Sequence, residues 1–203
     1  MVPGRRGRLI VFEGLDQSGK QTQSELLRDA LTAEGRSVRL LSFPDYDTAI
    51  GDEIRRALRG ERDYGPDVMQ LLYVANRYER RAEIERGLED GVIFVCDRYL
   101  ASSVAYGEAQ GLDAGWLMTI QQYLPAPDLT CLLDIAPERA AARKIADRDR
   151  YERDLALLGR VRESYLRQSA SGWVVIDGAG DRAAIARQVR DVVAGRLARP
   201  PAP

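Results

Sequence analysis

The stretch Gly14-Leu15-Asp16-Gln17-Ser18-Gly19-Lys20-Gln21-Thr22 constrains this chain more than any other, because it joins an apolar strand, Leu9 to Phe12, to an amphipathic helix through a glycine-bracketed turn. Gly14 and Gly19 permit backbone angles and close approaches that other residues resist, so successive N–H groups can converge on an anion. Lys20 adds a mobile positive charge for the outer phosphates. The spacing G-x-x-x-x-G-K reads as a phosphate cradle for a nucleoside triphosphate or a similar polyphosphate. One residue departs from the pattern, which places Ser or Thr directly after the lysine to hold magnesium. Here Gln21 stands in that place and Thr22 follows it.

Strands and helices alternate along the rest of the chain. Leu26, Leu27, Ala30 and Leu31 fall at helical spacing after Lys20, and a second strand is expected from Ser37 to Phe43. Phe43-Pro44 breaks that strand, and Ile50, Ile54 and Leu58 mark a short helix. Pro66 opens a long helix to about Leu88, with Arg77, Arg80 and Arg81 projecting from a face other than the buried one. Val92 to Cys96 is a continuous apolar run, as expected of a parallel strand covered on both sides. Helices follow at Ala101 to about Gln110 and Ala114 to about Leu124. The strand Leu129 to Ile135, a helix from Pro137 and the charged stretch Arg143 to Arg153 come next. A helix from Asp154 to Ser169, a strand at Trp173 to Ile176 and a helix from Asp181 to Leu197 complete the pattern. This order argues for a parallel sheet wrapped on both faces, with ligands at the carboxyl ends of its strands.

Composition narrows the chemistry. A length of 203 residues fits one domain, from residue 1 to 203, with a basic arm at 1–7 and a proline-rich tail at 198–203. A formal charge of −1 argues against a surface built for nucleic acid, and no apolar run is long enough to span a membrane. A cytoplasmic protein is expected. With no histidine, histidine-based triads are excluded. Cys96 and Cys131 sit in apolar runs and read as buried small hydrophobes. Lys20 and Lys144 are the two lysines among thirty basic residues, so a lysine at the cradle position is a chemical choice.

Three further groups carry chemistry. Asp97-Arg98-Tyr99 stands at the end of the third strand, where an acid can hold magnesium or take a proton and an arginine can clamp a phosphate. A strand-end ion pair is the plainer use of the same residues. Tyr73 and Arg77 lie four apart on one helical face, so that a ring stacks on a base while a guanidinium reaches its edge. Arg143, Lys144, Arg148, Arg150 and Arg153 are interspersed with acids. They read either as a self-paired surface or as a flap that closes over transferring phosphates.

Together these motifs resemble the thymidylate kinase family of P-loop nucleoside monophosphate kinases, over nearly the whole chain from Leu9 to about Leu197. The resemblance is carried by Phe12 to Gln23 (F-E-G-x-D-x-x-G-K-x-T-Q), Phe43-Pro44, the Leu71 to Arg77 helix, and Asp97-Arg98-Tyr99 followed by Ser102, Ser103, Ala105 and Tyr106. It implies a three-layer P-loop kinase fold with a five-stranded parallel sheet, helices on both faces and a short mobile lid at about 143–154. The implied activity is phosphorylation of dTMP to dTDP with ATP and Mg²⁺, by a homodimer paired through helices near Tyr73 and Val104. A kinase for another nucleoside monophosphate, or a nucleotide-binding regulator without turnover, are the alternatives.

The resemblance also implies roles. The cradle, Gly14 to Thr22, holds ATP; Lys20 and its amides bind the donor phosphates; Asp97, with Thr22 as a second candidate, holds the metal. Asp16 orients the acceptor 3′-hydroxyl and Arg98 clamps the acceptor phosphate. Tyr73 takes the place of a phenylalanine that stacks on thymine, and Arg77 reaches the base edge. Phe43, Ser102 and Ser103 line the acceptor pocket, and Tyr106 lies beneath the deoxyribose. Because the cradle offers Gln17, the lid arginine is expected to be Arg148 or Arg150. After Phe43-Pro44 this chain has Asp45-Tyr46 where relatives carry a phosphate-binding arginine, with Arg55 as the candidate substitute.

Overall fold

The structure, a computed structural model, describes residues 6–143 and 154–198. Its centre is a parallel sheet of β1 (Arg8–Glu13), β2 (Val38–Ser42), β3 (Ile93–Asp97), β4 (Leu129–Asp134) and β5 (Val174–Asp177), in the order β2-β3-β1-β4-β5. Around it lie α1 (Lys20–Ala33), α2 (Ala49–Leu58), α3 (Pro66–Glu79), α4 (Arg81–Glu89), α5 (Leu100–Ala109), α6 (Ala114–Thr119), α7 (Pro137–Ala142), α8 (Leu155–Ser169) and α9 (Arg182–Ala198).

The pleat of β1 explains the layers. Successive side chains of a strand point to opposite faces, and here both faces are apolar. Ile10 and Phe12 join Leu27 and Leu31 of α1 and Ile185 and Val189 of α9 in one core. Leu9 and Val11 point the other way, to Ile84 and Leu88 of α4 and to Tyr99. A third cluster joins Leu15 and Leu132 to Ala101 and Ala105 of α5 and Val161 and Tyr165 of α8. Cys96 and Cys131 are buried free thiols within these strands, and burial pushes the Cys131 thiol up to about 12.

β1 lies between β3 and β4, and the chain leaves it first toward β3 and β2, then toward β4 and β5. The strand order therefore reverses at the carboxyl end of β1. In an open α/β sheet such a point leaves a crevice that ligands occupy. The Gly14–Thr22 turn stands there.

Two sequence expectations need correction. The long helix from Pro66 is two helices, parted at Arg80, which caps α3 while its Nε donates to Asp45 Oδ2 at 2.6 Å. A tie to the loop after β2, rather than a local Gly or Pro, breaks the helix. The helix from Ala114 ends at Thr119 and the chain turns through residues 120–123. Lys144, Arg148, Arg150 and Arg153 of the expected lid lie outside the described residues, as do most of the expected arm and tail.

Candidate active site

The cradle side, where the resemblance places the phosphoryl donor, is built mainly from backbone. Gly14 has φ 140°, and a Cβ there would stand 2.5 Å from the Leu133 carbonyl oxygen of the neighbouring strand, so only glycine fits. Gly19 has φ 100° and precedes α1, whose N-terminus carries no side-chain cap. The first-turn amides and the positive end of the helix are left to a ligand. Gln17, with φ 63°, also adopts the left-handed backbone.

A cleft beside this turn is walled by Asp16 through Gln23, Asp97, Arg98, Arg143 and the glycines Gly178 and Gly180. Lys20 is buried and donates from Nζ to the Leu15 carbonyl at 2.8 Å. Burial, with Arg98 nearby, lowers the Lys20 pKa, and the carboxylates of Asp97, Asp16 and Glu13 oppose that shift. Leu15, expected among the cofactor contacts, does not wall this cleft: its carbonyl accepts from Lys20 and its side chain lies in the core. Arg143 donates to the Gln17 carbonyl at 3.0 Å and to the Gly178 carbonyl at 2.9 Å, bridging the cradle to the turn after β5.

The other side, where the resemblance places the acceptor, is built from side chains. Arg98 follows β3 with φ 66°, and its N–H donates to the Phe12 carbonyl at 2.9 Å, which fixes it beside the end of β1. Arg98 Nη2 donates to Asp16 Oδ1 at 2.7 Å, and Nη1 donates to Ser102 Oγ and Tyr165 Oη, each at 3.1 Å. Tyr106 Oη donates to Asp16 Oδ2 at 2.9 Å, and the Arg98 guanidinium lies 5.3 Å from the Tyr106 ring centroid. Burial alone would raise the Asp16 carboxyl, but Arg98 and Lys20 beside it outweigh that and hold it far below the usual carboxylate range. Burial likewise works against the Arg98 cation, and Asp16 more than restores it.

Beneath this cluster, Glu13 is fully buried. Its carboxylate accepts from the Tyr99 N–H at 2.9 Å, Ser102 Oγ at 2.7 Å and Tyr165 Oη at 3.2 Å. Neither Glu13 nor Tyr165 was singled out from the sequence as a site residue. A charged residue closing an apolar strand, within the F-E-G opening of the cradle motif, is the local signal for Glu13. Tyr165 has none, since it reaches the site from α8, 67 residues beyond Arg98.

The pocket beyond these residues is walled by Phe43, Pro44, Tyr46, Gln70, Tyr73, Arg77, Ser102, Ser103 and Tyr106, together with Asp16 and Arg98. Asp16, Arg98, Phe43 and Tyr46 also face the donor cleft, so the two spaces meet there. Arg77, expected to project from the exposed face of its helix, is 3% exposed; its Nη1 donates to Ser103 Oγ at 2.7 Å and its guanidinium lies 6.0 Å from the Phe43 ring centroid. Burial pulls the Arg77 pKa down, against the attraction of Glu13. Arg55 does not enter either space: its Nη2 donates to the Tyr46 carbonyl at 2.6 Å and its guanidinium stacks 5.2 Å from the Tyr46 ring. Asn76 holds the loop after β2 through the Asp45 backbone, accepting at 2.7 Å and donating at 3.1 Å.

Among the described residues Asp97 is a candidate anchor for a metal. Asp97 Oδ1 is buried without a hydrogen-bond partner on the wall of the donor cleft. Among the described residues no group of three or more His, Cys, Asp or Glu could hold a metal. A lone carboxylate, with the Thr22 hydroxyl on the same wall, suits Mg²⁺, which keeps several waters and takes other oxygens from phosphates. Gln21 is engaged along α1, donating to Glu25 Oε1 at 3.0 Å.

A glycine cradle at the switch point of a parallel sheet, with a cationic acceptor pocket beside it, defines a P-loop kinase fold. The family model for thymidylate kinase matches residues 12–189. The chain is 37% identical over 188 residues to thymidylate kinase of Arabidopsis thaliana, covering 93% of this chain and 71% of that protein. It is 35% identical over 194 residues to thymidylate kinase of Homo sapiens, covering 93% and 91%. The solved structure of thymidylate kinase from Candida albicans superposes with a TM-score of 0.81 at 28% identity, over 95% of this chain and 93% of that one. The chain belongs to the thymidylate kinase family.

Proposed function

We propose that the protein transfers the terminal phosphoryl group of ATP to dTMP, giving dTDP, with Mg²⁺ as the metal. The observation that carries this reading is the joining of the two spaces at Asp16 and Arg98, one walled by the cradle and the other by a stacking ring and a buried arginine. In phosphoryl transfer the protein chiefly positions the reactants and offsets charge. Lys20 and the cradle amides bind the donor phosphates, and Arg98 holds the acceptor phosphate in line. Asp16 accepts from the acceptor 3′-hydroxyl, Tyr106 supports the deoxyribose, and Tyr73 stacks on the base that Arg77 meets at its edge. Asp97 and Thr22 would hold Mg²⁺, which would supply positive charge to offset that of the donor phosphates. Arg148 or Arg150 supplies the lid cation.

We assign residues 1–203 to one catalytic domain working in the cytoplasm. Among the described residues no helix is long and apolar enough to cross a membrane. A homodimer fits the outer face of α3, where Val68 is 38% and Leu71 46% exposed; on α5, the other helix expected to pair, Val104 itself is buried within the chain.

Coupled measurement of ADP release tests the assignment. With ATP and Mg²⁺, dTMP is expected to support turnover well above dUMP, dCMP, dGMP or thymidine. A folded sample with no dTMP-dependent ADP release contradicts it, and a preference for another acceptor moves the assignment to a different monophosphate kinase.

A further inference from the structure

Gln70 is 1% exposed on α3 and lines the acceptor pocket, yet neither its Oε1 nor its Nε2 has a hydrogen-bond partner among the described residues. A buried primary amide with both ends unmet is costly, and native proteins rarely keep one without a use. Gln70, Tyr73 and Arg77 all line the pocket, as positions i, i+3 and i+7 of one helix face do. No sequence motif singled out Gln70, since a glutamine two residues before Leu72 reads as ordinary helix surface.

We propose that the Gln70 carboxamide is a specificity-determining contact that reads the imide edge of the pyrimidine, an inference that rests on the dTMP reading above. Arg77 carries donors only, and so selects a ring carbonyl. Gln70 carries one donor group and one acceptor. An amide that donates from Nε2 to the 2-carbonyl and accepts at Oε1 from N3–H makes a matched pair with thymine or uracil. Cytosine presents acceptors at both of those positions and an amino group where Arg77 needs a carbonyl. Neither orientation of the amide satisfies it, and a site left with unpaired buried polar groups discriminates strongly.

Gln70→Met keeps most of the side-chain volume and removes both polar ends; Gln70→Leu is the second variant. The proposal expects the KM for dTMP to rise about tenfold with a smaller change in kcat and no change in the KM for ATP. The nucleotide-free melting temperature should hold or rise, because an unmet amide has been removed, while the stabilisation given by dTMP shrinks. N3-methyl-dTMP, which lacks the N3 proton, should be penalised against dTMP in wild type and lose most of that penalty in the variants. An unchanged dTMP KM in a folded variant overturns the proposal, as does an N3-methyl penalty that persists in full. A lower nucleotide-free melting temperature with an unchanged KM marks Gln70 as structural and overturns it too. Wild-type protein that turns over no dTMP is a separate result, and it overturns the functional assignment together with this inference.

Discussion

The acceptor pocket and the donor cleft share Asp16 and Arg98 but are built in opposite ways. On the acceptor side most polar groups already have partners: Asp16 binds Arg98 and Tyr106, Arg98 also binds Ser102 and Tyr165, and Arg77 binds Ser103. On the donor side the walls are amides of an uncapped helix, with Ser18 Oγ and Asp97 Oδ1 buried and unpartnered. A site held by side-chain bonds is organised before its ligand arrives, whereas a site of free amides and a lone carboxylate is completed by phosphates and metal. Acceptor selectivity should therefore survive without ATP, and phosphoryl transfer should not.

The largest test of that contrast is Lys20→Ala. It should lower kcat by about 10³-fold or more, since a cation on the transferring phosphates is lost, while dTMP affinity measured by calorimetry stays within about threefold. An equal collapse of dTMP affinity would show that the two halves are not separable. Arg98→Lys comes next. Removing the planar fork that spans Asp16 on one side and Ser102 and Tyr165 on the other should cut kcat/KM for dTMP by about 10²-fold, with little change in the KM for ATP. Asp97→Asn acts on the donor side alone: half-maximal activity should require about tenfold more Mg²⁺, at an unchanged dTMP KM.

The smallest effect is one of pH. The folded Asp16 carboxyl lies below its unfolded value of about 3.9, so its stabilisation is complete above that value and is lost as pH falls toward the folded one. Urea midpoints of wild type and Asp16→Asn should therefore differ by a constant amount from pH 5 to 8 and converge below about pH 4. A difference that changes between pH 6 and 8 would show that Asp16 is not held ionised by Arg98 and Lys20.

Much of this architecture was legible in the sequence because it is local. The five strands are short apolar runs, and the cradle is a strand, a turn and a helix in sequence, so spacing places Gly14 to Thr22 and Asp97-Arg98 at strand ends; the pairing of β1 with β3 is what makes those ends adjacent. What escaped is non-local. Arg80 ends α3 through Asp45, Arg77 is buried because α5 presents Ser103 to it, and Glu13 and Tyr165 meet only once α8 packs on α5. Gln70 has no pattern of its own, and its burial within a pocket is what gives it meaning.

Titration of dTMP and dCMP, by calorimetry, into protein free of nucleotide and magnesium tests the central contrast most directly. The account predicts that one dTMP binds per chain without ATP, at least about tenfold more tightly than dCMP. Binding of dTMP that appears only once ATP and Mg²⁺ are present, or dCMP binding equal to it, would contradict an acceptor pocket organised in advance.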